Sequence, residues 1–315
     1  MQLDRLTLGR MAKELGFVRD TLEKVCRLAD VLKFFESDRL LSNGIALKGG
    51  TAINLAIFDL PRLSVDIDLD YCRTIDREEM LADRAVITDK IGKYMTANGY
   101  VLGPKSKNYH ALDSFVYEYV NCGGVKDNLK IEINYMLRCH VLPTETRKVK
   151  LPWSKDVLTV FSVAPLEIFA SKTVALLMRT ALRDLYDIHN MVKYGLFDES
   201  EEELFRKCVV FYSAIGAEQP PKRFELDNIG KLSSLQMKRD LEPVLRKGER
   251  FDLELVQQEV RQYLASVLIP TKEEELFWKA FSEGSYQPDR IFGERNEAVN
   301  IAKHPMALWK CRNKT

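Results

Sequence analysis

The chain has 315 residues, 46% hydrophobic and 30% charged, and its 47 basic and 46 acidic side chains leave a net charge of +1. That balance excludes a disordered or collagen-like chain and supplies enough apolar side chains for a large core without disulfide or metal staples. Near-neutral charge neither announces a nucleic-acid binder nor forbids a local basic groove.

No apolar run reaches the roughly 20 residues a membrane helix needs, and the start Met1-Gln2-Leu3-Asp4-Arg5 is polar, so a cytoplasmic protein with no membrane partner is expected. The six cysteines (Cys26, Cys72, Cys122, Cys139, Cys208, Cys311) form no CxxC pair and read as reduced thiols. His110, His140, His189 and His304 lack zinc-type spacing.

Residues 1–40 carry helical periodicity, with Leu15, Val18, Leu22, Val25, Leu28, Leu32 and Phe35 three or four apart. Ile45-Ala46-Leu47 then reads as a short strand, Lys48-Gly49-Gly50-Thr51 as a turn, and Ala52–Ile57 as a short helix closed near Pro61. Residues 63–71 alternate strictly as a strand does, 78–98 are helical, and 114–120 and 129–136 are strands joined by a hairpin loop over 121–128. Residues 143–156 are basic, contain Pro143 and Pro152, and form no clear helix. From Pro165, a suitable first helical residue, the pattern is helical nearly to the end. Two domains are therefore expected, 1–160 and 161–315.

Asp66, Asp68 and Asp70 alternate with Val65, Ile67 and Leu69, so the carboxylates share one strand face. Like charges so close repel unless a cation lies among them, and hard oxygen ligands favour Mg²⁺ or Mn²⁺. The alternative is an edge strand with a solvated acidic face. A calcium loop starting at Asp66 fails, because Tyr71 stands where its glycine belongs and Arg77 where its glutamate belongs.

The Gly49-Gly50 turn is not a Walker A loop, since Lys48 precedes the glycines. Backbone N–H groups entering a helix can still cradle a phosphate, with the Thr51 hydroxyl assisting; otherwise this is an ordinary turn capped by Thr51. Glu132 shares a strand face with Lys130 and Asn134, and is either a third acidic ligand or the partner of Lys130. In the helix from Pro165, Lys172, Arg179, Arg183 and Asp187 are spaced 7, 4 and 4, placing them within about an 80° arc, with Asp184 about 120° from Lys172. Three cations ending in an aspartate suit a triphosphate clamp, and a solvated helix face is the alternative. Leu182-Arg183-Asp184-Leu185 only imitates a kinase catalytic loop: Leu182 replaces its histidine and no GxGxxG occurs.

In this order, the motifs Leu47-Lys48-Gly49-Gly50-Thr51-Ala52, Arg62-Leu63-Ser64-Val65-Asp66-Ile67-Asp68-Leu69, and Lys172…Arg179…Arg183-Asp184…Asp187 resemble the AbiEii/AbiGii toxin family of DNA polymerase β-like nucleotidyltransferases. The resemblance covers about residues 45–70, 129–136 and 164–190 and does not speak for 195–315. It implies an α+β fold: a polymerase β-like nucleotidyltransferase domain with a small mixed sheet, then a mainly α-helical domain. It implies the toxin of a bacterial toxin–antitoxin or phage-defence module that transfers a nucleoside monophosphate from an NTP, with two Mg²⁺ (or Mn²⁺) ions, onto an RNA acceptor such as the tRNA 3′ end. A cognate antitoxin is the implied partner. Asp66, Asp68 and Glu132 are the implied metal ligands. Lys172 and Asp187 join Asp66 and Asp68 as catalytically required. Lys48, Gly49, Gly50, Thr51, Ser64, Arg179 and Arg183 are the implied nucleotide-binding set.

An RNA acceptor needs a basic groove. Candidates are Lys105, Lys107, Arg147, Lys148, Lys150 and Lys155, and the tail Lys303, Lys310, Arg312 and Lys314, with Tyr109 and Trp153 able to stack a base. The alternatives are a small-molecule or protein nucleotidyltransferase, such as an antibiotic adenylyltransferase, and a non-catalytic binding module.

Overall fold

The computed structural model of the chain describes residues 4–293 and 301–313. The chain folds as two compact units, one of Met1–Arg138, Thr144–Val163 and Pro243–Glu249, the other of Cys139–Pro143, Ala164–Glu242 and Arg250–Thr315. A single boundary at residue 160 thus describes only one of several passages between them.

In the first unit the periodic stretch at the start is three helices, α1 (Arg5–Leu15), α2 (Arg19–Ser37) and α3 (Arg39–Gly44). Gly16 closes α1 in the left-handed region at φ +77°, so Leu15 and Val18 do not extend the apolar stripe of α2. Leu22, Val25, Leu28, Leu32 and Phe35 do form that stripe, all buried. The Asp4 and Asp38 side chains accept from N–H groups in the first turns of α1 and α3.

Strand β1 (Ile45–Lys48) runs straight into α4 (Gly49–Thr51), which continues as a π-helical turn over Ala52–Ile57. Then come β2 (Asp66–Tyr71), α5 (Arg77–Ala97), the two-residue strands β3 (Val101–Leu102) and β4 (Lys107–Asn108), β5 (Leu112–Val120), β6 (Lys126–Asn134), β7 (Glu145–Lys150) and β8 (Val157–Ser162). They form one eight-stranded mixed sheet in the order β3-β5-β6-β2-β1-β8-β7, with β4 also on β5. β2 is parallel to β6 and β1 to β8; the other pairs are antiparallel.

The alternation in β2 sorts its side chains. Ile67, Leu69 and Tyr71 are fully or almost fully buried with Leu129, Ile131 and Ile133 of β6, and α2 packs on β6 and β8. At about 25 cal/mol per Å² of apolar surface, this face fixes the register of β2 and thereby puts every second residue on the other face. The loop between β5 and β6 is shorter than the sequence suggests, because pairing begins at Val120 and Lys126. β7 and β8 are additional to the strands the sequence predicts. β7 lies at the sheet edge, where charged residues are tolerated and only Val149 is buried, so it lacks an apolar signature.

The second unit is helical: α6 (Pro165–Arg179), α7 (Leu182–Lys193), α8 (Glu199–Gly216), α9 (Ser234–Gln236), α10 (Leu253–Val267), α11 (Lys272–Ser282), α12 (Asp289–Phe292) and α13 (Pro305–Arg312). Helix α8 is buried almost continuously from Cys208 to Ile215, as expected of an element packed by α6, α10, α11, α12 and α13. The segment Cys139–Pro143 belongs here because the buried Glu167 carboxylate accepts from Val141 N, Leu142 N and the Tyr212 hydroxyl. Among the described residues no helix is long and apolar enough to cross a membrane.

Candidate active site

The first unit carries one charged sheet face. Register pairs Asp66 with Lys130, Asp68 with Glu132 and Asp70 with Asn134, while Lys48 lies opposite Asp68 on the other side. Paired residues share a face, so two lysines and four carboxylates occupy three adjacent strands. Lys48 reaches the buried Asp70, Nζ to Oδ1 2.5 Å. Burial opposes the Lys48 charge, but Asp70 and then Asp68 outweigh it and hold the ammonium above the usual lysine range. Lys130 reaches Glu132 at 2.8 Å. Burial again opposes its charge, and Glu132, followed by Asp66 and Asp68, raises it. Glu132 thus neighbours Asp68 in register and pairs with Lys130.

The glycine turn closes over this face. Gly49 has φ +65°, and a Cβ there would lie 2.6 Å from Asp68 Oδ2. At Gly50 a Cβ would lie 2.8 Å from Ser64 Oγ and 3.0 Å from Arg62 Nη2. Two consecutive side-chain-free residues are what allow the turn to approach the second aspartate and the segment leading into β2 so closely. Thr51 departs from expectation. It is fully buried, and its hydroxyl donates to the Asp66 carbonyl, so it braces β2 beneath the turn and offers no surface to a phosphate. Asn54 adds a second brace, donating to the Gly50 carbonyl at 2.7 Å and accepting from Arg62 N at 3.3 Å. Arg62, 2% exposed, donates to its neighbour's carbonyl at 2.9 Å.

The donor chemistry fits a hard divalent ion: Asp66 and Asp68 are adjacent on one face, Glu132 is in register beside them, and Gly49 leaves room at Asp68. As oriented, no three His, Cys, Asp or Glu side chains among the described residues converge tightly enough to hold one. Lys48 on Asp70 and Lys130 on Glu132 account for two of the four carboxylates.

In the second unit the expected single row of cations is broken. Thr180 adopts φ +49° and ends α6, and α7 starts afresh at Leu182. The break brings Asp184 to Lys172, Nζ to Oδ1 2.9 Å, and Asp187 to the same ammonium at 3.2 Å. Arg179 donates to both Asp184 oxygens, at 2.7 and 3.0 Å. Asp184 and Asp187 are buried, and Lys172 is 9% exposed. Burial would raise the Asp184 carboxyl, but Lys172 and Arg179 outweigh it and hold it below the usual carboxylate range. Arg183 leaves the row altogether, donating to the Asp240 carbonyl at 2.7 Å. Asp184, which an unbroken helix would turn away from Lys172, is the residue that spacing misjudged. Its usable signal was its place in the first turn of α7, where acidic residues favour a helix start.

The family described as "Nucleotidyl transferase AbiEii toxin, Type IV TA system" matches residues 33–278. The chain belongs to this family. It is thus a nucleotidyltransferase toxin of a type IV toxin–antitoxin system, with an NTP as substrate and an antitoxin as partner. Its fold is similar to the nucleotidyltransferase toxin MenT4 from Mycobacterium tuberculosis H37Rv, with TM-score 0.63, 16% identity and 99% of both chains covered. Two structures of CdnC from E. coli MS115-1, one in complex with HORMA-deltaN and one with ATP, match at TM-score 0.26. Their identities are 16% and 14%, covering 93% and 94% of this chain and 98% and 100% of theirs. No curated protein sequence matches.

Within the first unit the basic candidates for an acceptor groove are spread over both edges of the sheet. Lys107 on β4, beside the exposed Tyr109, lies at one edge of the sheet, whereas Lys148 and Lys150 on β7 lie at the other. Arg147 is structural, donating to the Ala56 carbonyl at 3.0 Å and pairing with Glu145 at 2.5 Å. Lys105 and Lys155 are exposed, and Trp153 is half-buried. In the second unit Lys310 donates to the Ala217 carbonyl, Lys303 and Arg312 are exposed, and Lys314 lies outside the described residues.

Proposed function

We propose that this toxin transfers a nucleoside monophosphate from an NTP to the 3′ end of tRNA and so blocks translation, acting in the cytoplasm as the toxic arm of a phage-defence module. The observation that carries the reading is the in-register set Asp66, Asp68 and Glu132 beneath a glycine turn that touches Asp68. Asp66 and Asp68, with Glu132, would hold two Mg²⁺ (or Mn²⁺) ions, which would supply the charge to lower the pKa of an attacking hydroxyl and to neutralise the departing pyrophosphate. The acceptor oxygen bonds to the α-phosphorus, the α–β bridging bond breaks, pyrophosphate leaves, and the hydroxyl proton passes to water.

The chain's own contribution is positioning and charge. Lys48 neutralises Asp70, and Asp66 and Asp68 are the aspartates of β2 assigned to the reaction. Gly49 and Gly50 bring backbone to the nucleotide's phosphates, with Ser64 beside Gly50 and Thr51 holding β2 in place. In the second unit Lys172 is held by Asp184 and Asp187, Arg179 steadies Asp184, and Lys172 is assigned as catalytically required. Asp187 is required because it orients Lys172.

The test is incubation with each α-labelled NTP and total tRNA in Mg²⁺ or Mn²⁺, comparing wild type with Asp66→Ala. Label should enter tRNA from a preferred nucleotide and vanish in the variant. Label in a protein or small-molecule fraction would reassign the acceptor. Unchanged growth inhibition by Asp68→Ala would mean a binding module instead.

A further inference from the structure

The two lysines on the charged sheet face are not equivalent. Lys48 is bonded to a carboxylate that is 5% exposed, whereas Lys130 and Glu132 are 36% and 27% exposed. Lys130 also stands directly opposite Asp66 in the β2–β6 register, two residues before Glu132 on the same face. On the far side of β6, Ser114 and Val116 oppose Glu132 and Lys130, so the next strand brings neither an extra carboxylate nor a competing cation to those two positions. The ammonium that touches Glu132 is thus the accessible, exchangeable cation of the cluster.

We propose that Lys130 is a resident counter-ion that occupies Glu132 until a divalent cation claims it, so that Lys130 sets the metal affinity of the site. This rests on the metal-dependent reading above. A half-exposed lysine–carboxylate pair is weak, and a divalent ion brings twice the charge to the same oxygens, so exchange is feasible but opposed. Lys130 also quiets the repulsion among Asp66, Asp68 and Glu132 while no metal is bound. It is a positioning residue, since it acts through Glu132.

The experiment titrates Mn²⁺ into the full chain, following free Mn²⁺ by electron paramagnetic resonance, for wild type, Lys130→Met, Lys130→Arg and Asp66→Ala. Lys130→Met should bind Mn²⁺ about two- to fivefold more tightly, as expected when a weak competing ion pair is removed, and Lys130→Arg should match wild type. A second readout separates this from a merely structural role: Lys130→Met should melt lower than wild type without metal and lose that deficit in saturating Mn²⁺. Equal or weaker Mn²⁺ binding by Lys130→Met, or a melting deficit that persists in Mn²⁺, overturns the inference alone. If wild type binds Mn²⁺ no better than Asp66→Ala, the metal-dependent reading falls and this inference falls with it.

Discussion

Replacing Lys172 by Met tests the charged cluster of the second unit. Its ammonium lies 2.9 Å from Asp184 and 3.2 Å from Asp187, both buried carboxylates. Removing one partner from a buried ion pair costs about 3–5 kcal/mol, because the remaining charge loses its compensation. Arg179 still donates two bonds to Asp184, so the low end applies, about 3 kcal/mol. At about 2–4 °C per kcal/mol for a chain region of this size, the melting temperature should drop by about 6–12 °C. The double variant Lys172→Met/Asp187→Asn should regain part of that stability while transfer to RNA stays lost. The pH dependence has a definite sign. Asp184 is held below its ordinary value of 3.8 because Lys172 and Arg179 outweigh burial, so its stabilisation is present above that value and disappears as pH falls through the folded one. The deficit of Lys172→Met should therefore be full near neutrality and shrink below about pH 4. Calorimetry across pH reads this out. A single variant that melts like wild type, or a double variant no better than the single, would refute the argument.

Gly49→Ala forces an L side chain into the left-handed region, costing about 1–2 kcal/mol, and its Cβ would displace the Asp68 carboxylate at 2.6 Å; thermal melts should show the modest loss and transfer assays a much larger one, and near-wild-type transfer would count against the turn–aspartate contact. Thr51→Val removes the donor to the Asp66 carbonyl at a fully buried site and should cost about 1–3 kcal/mol in urea denaturation, with transfer reduced as β2 loosens. Burial pushes the fully buried His304 down to about 4 from its ordinary 6.5, so the folded state resists its protonation and stability is lost as pH falls from 6.5 towards 4, by about 3 kcal/mol. His304→Asn, which keeps an acceptor for Ala307 N at the start of α13, should flatten that part of the profile; an unchanged slope between pH 7 and 4.5 would refute the assignment.

What was legible in the chain is what depends on neighbours a few residues away. The strict alternation of β2 fixes which side chains go in and which go out before any partner strand is known, and the consecutive glycines announce a close backbone approach. Burial then gives that alternation its consequence, since Ile67 and Leu69 have to lie against the core. The β7 strand was illegible for the converse reason. An edge strand buries little, so Glu145-Thr146-Arg147-Lys148 carries no periodic apolar mark and is identified only by its ladder to β8.

The site shows the same division. Same-strand neighbours could be read directly: Asp66 beside Asp68, Lys130 beside Glu132. Which of these oppose one another could not, because register between β2 and β6 is decided by apolar residues on the other face. The single row of cations expected in the second unit breaks for a sharper reason. Angular bookkeeping along a helix assumes that it continues, and nothing in Arg179-Thr180-Ala181-Leu182 carries a glycine or proline stop. One residue in the left-handed region at Thr180 undoes the sum. It removes Arg183 to the Asp240 carbonyl and delivers Asp184 to Lys172. A β-branched residue rarely adopts that conformation, so its strain has to be met by the buried charge cluster assembled around the break. The cluster and the break are therefore one feature: Lys172 and Arg179 can meet on Asp184 only because α6 ends where it does.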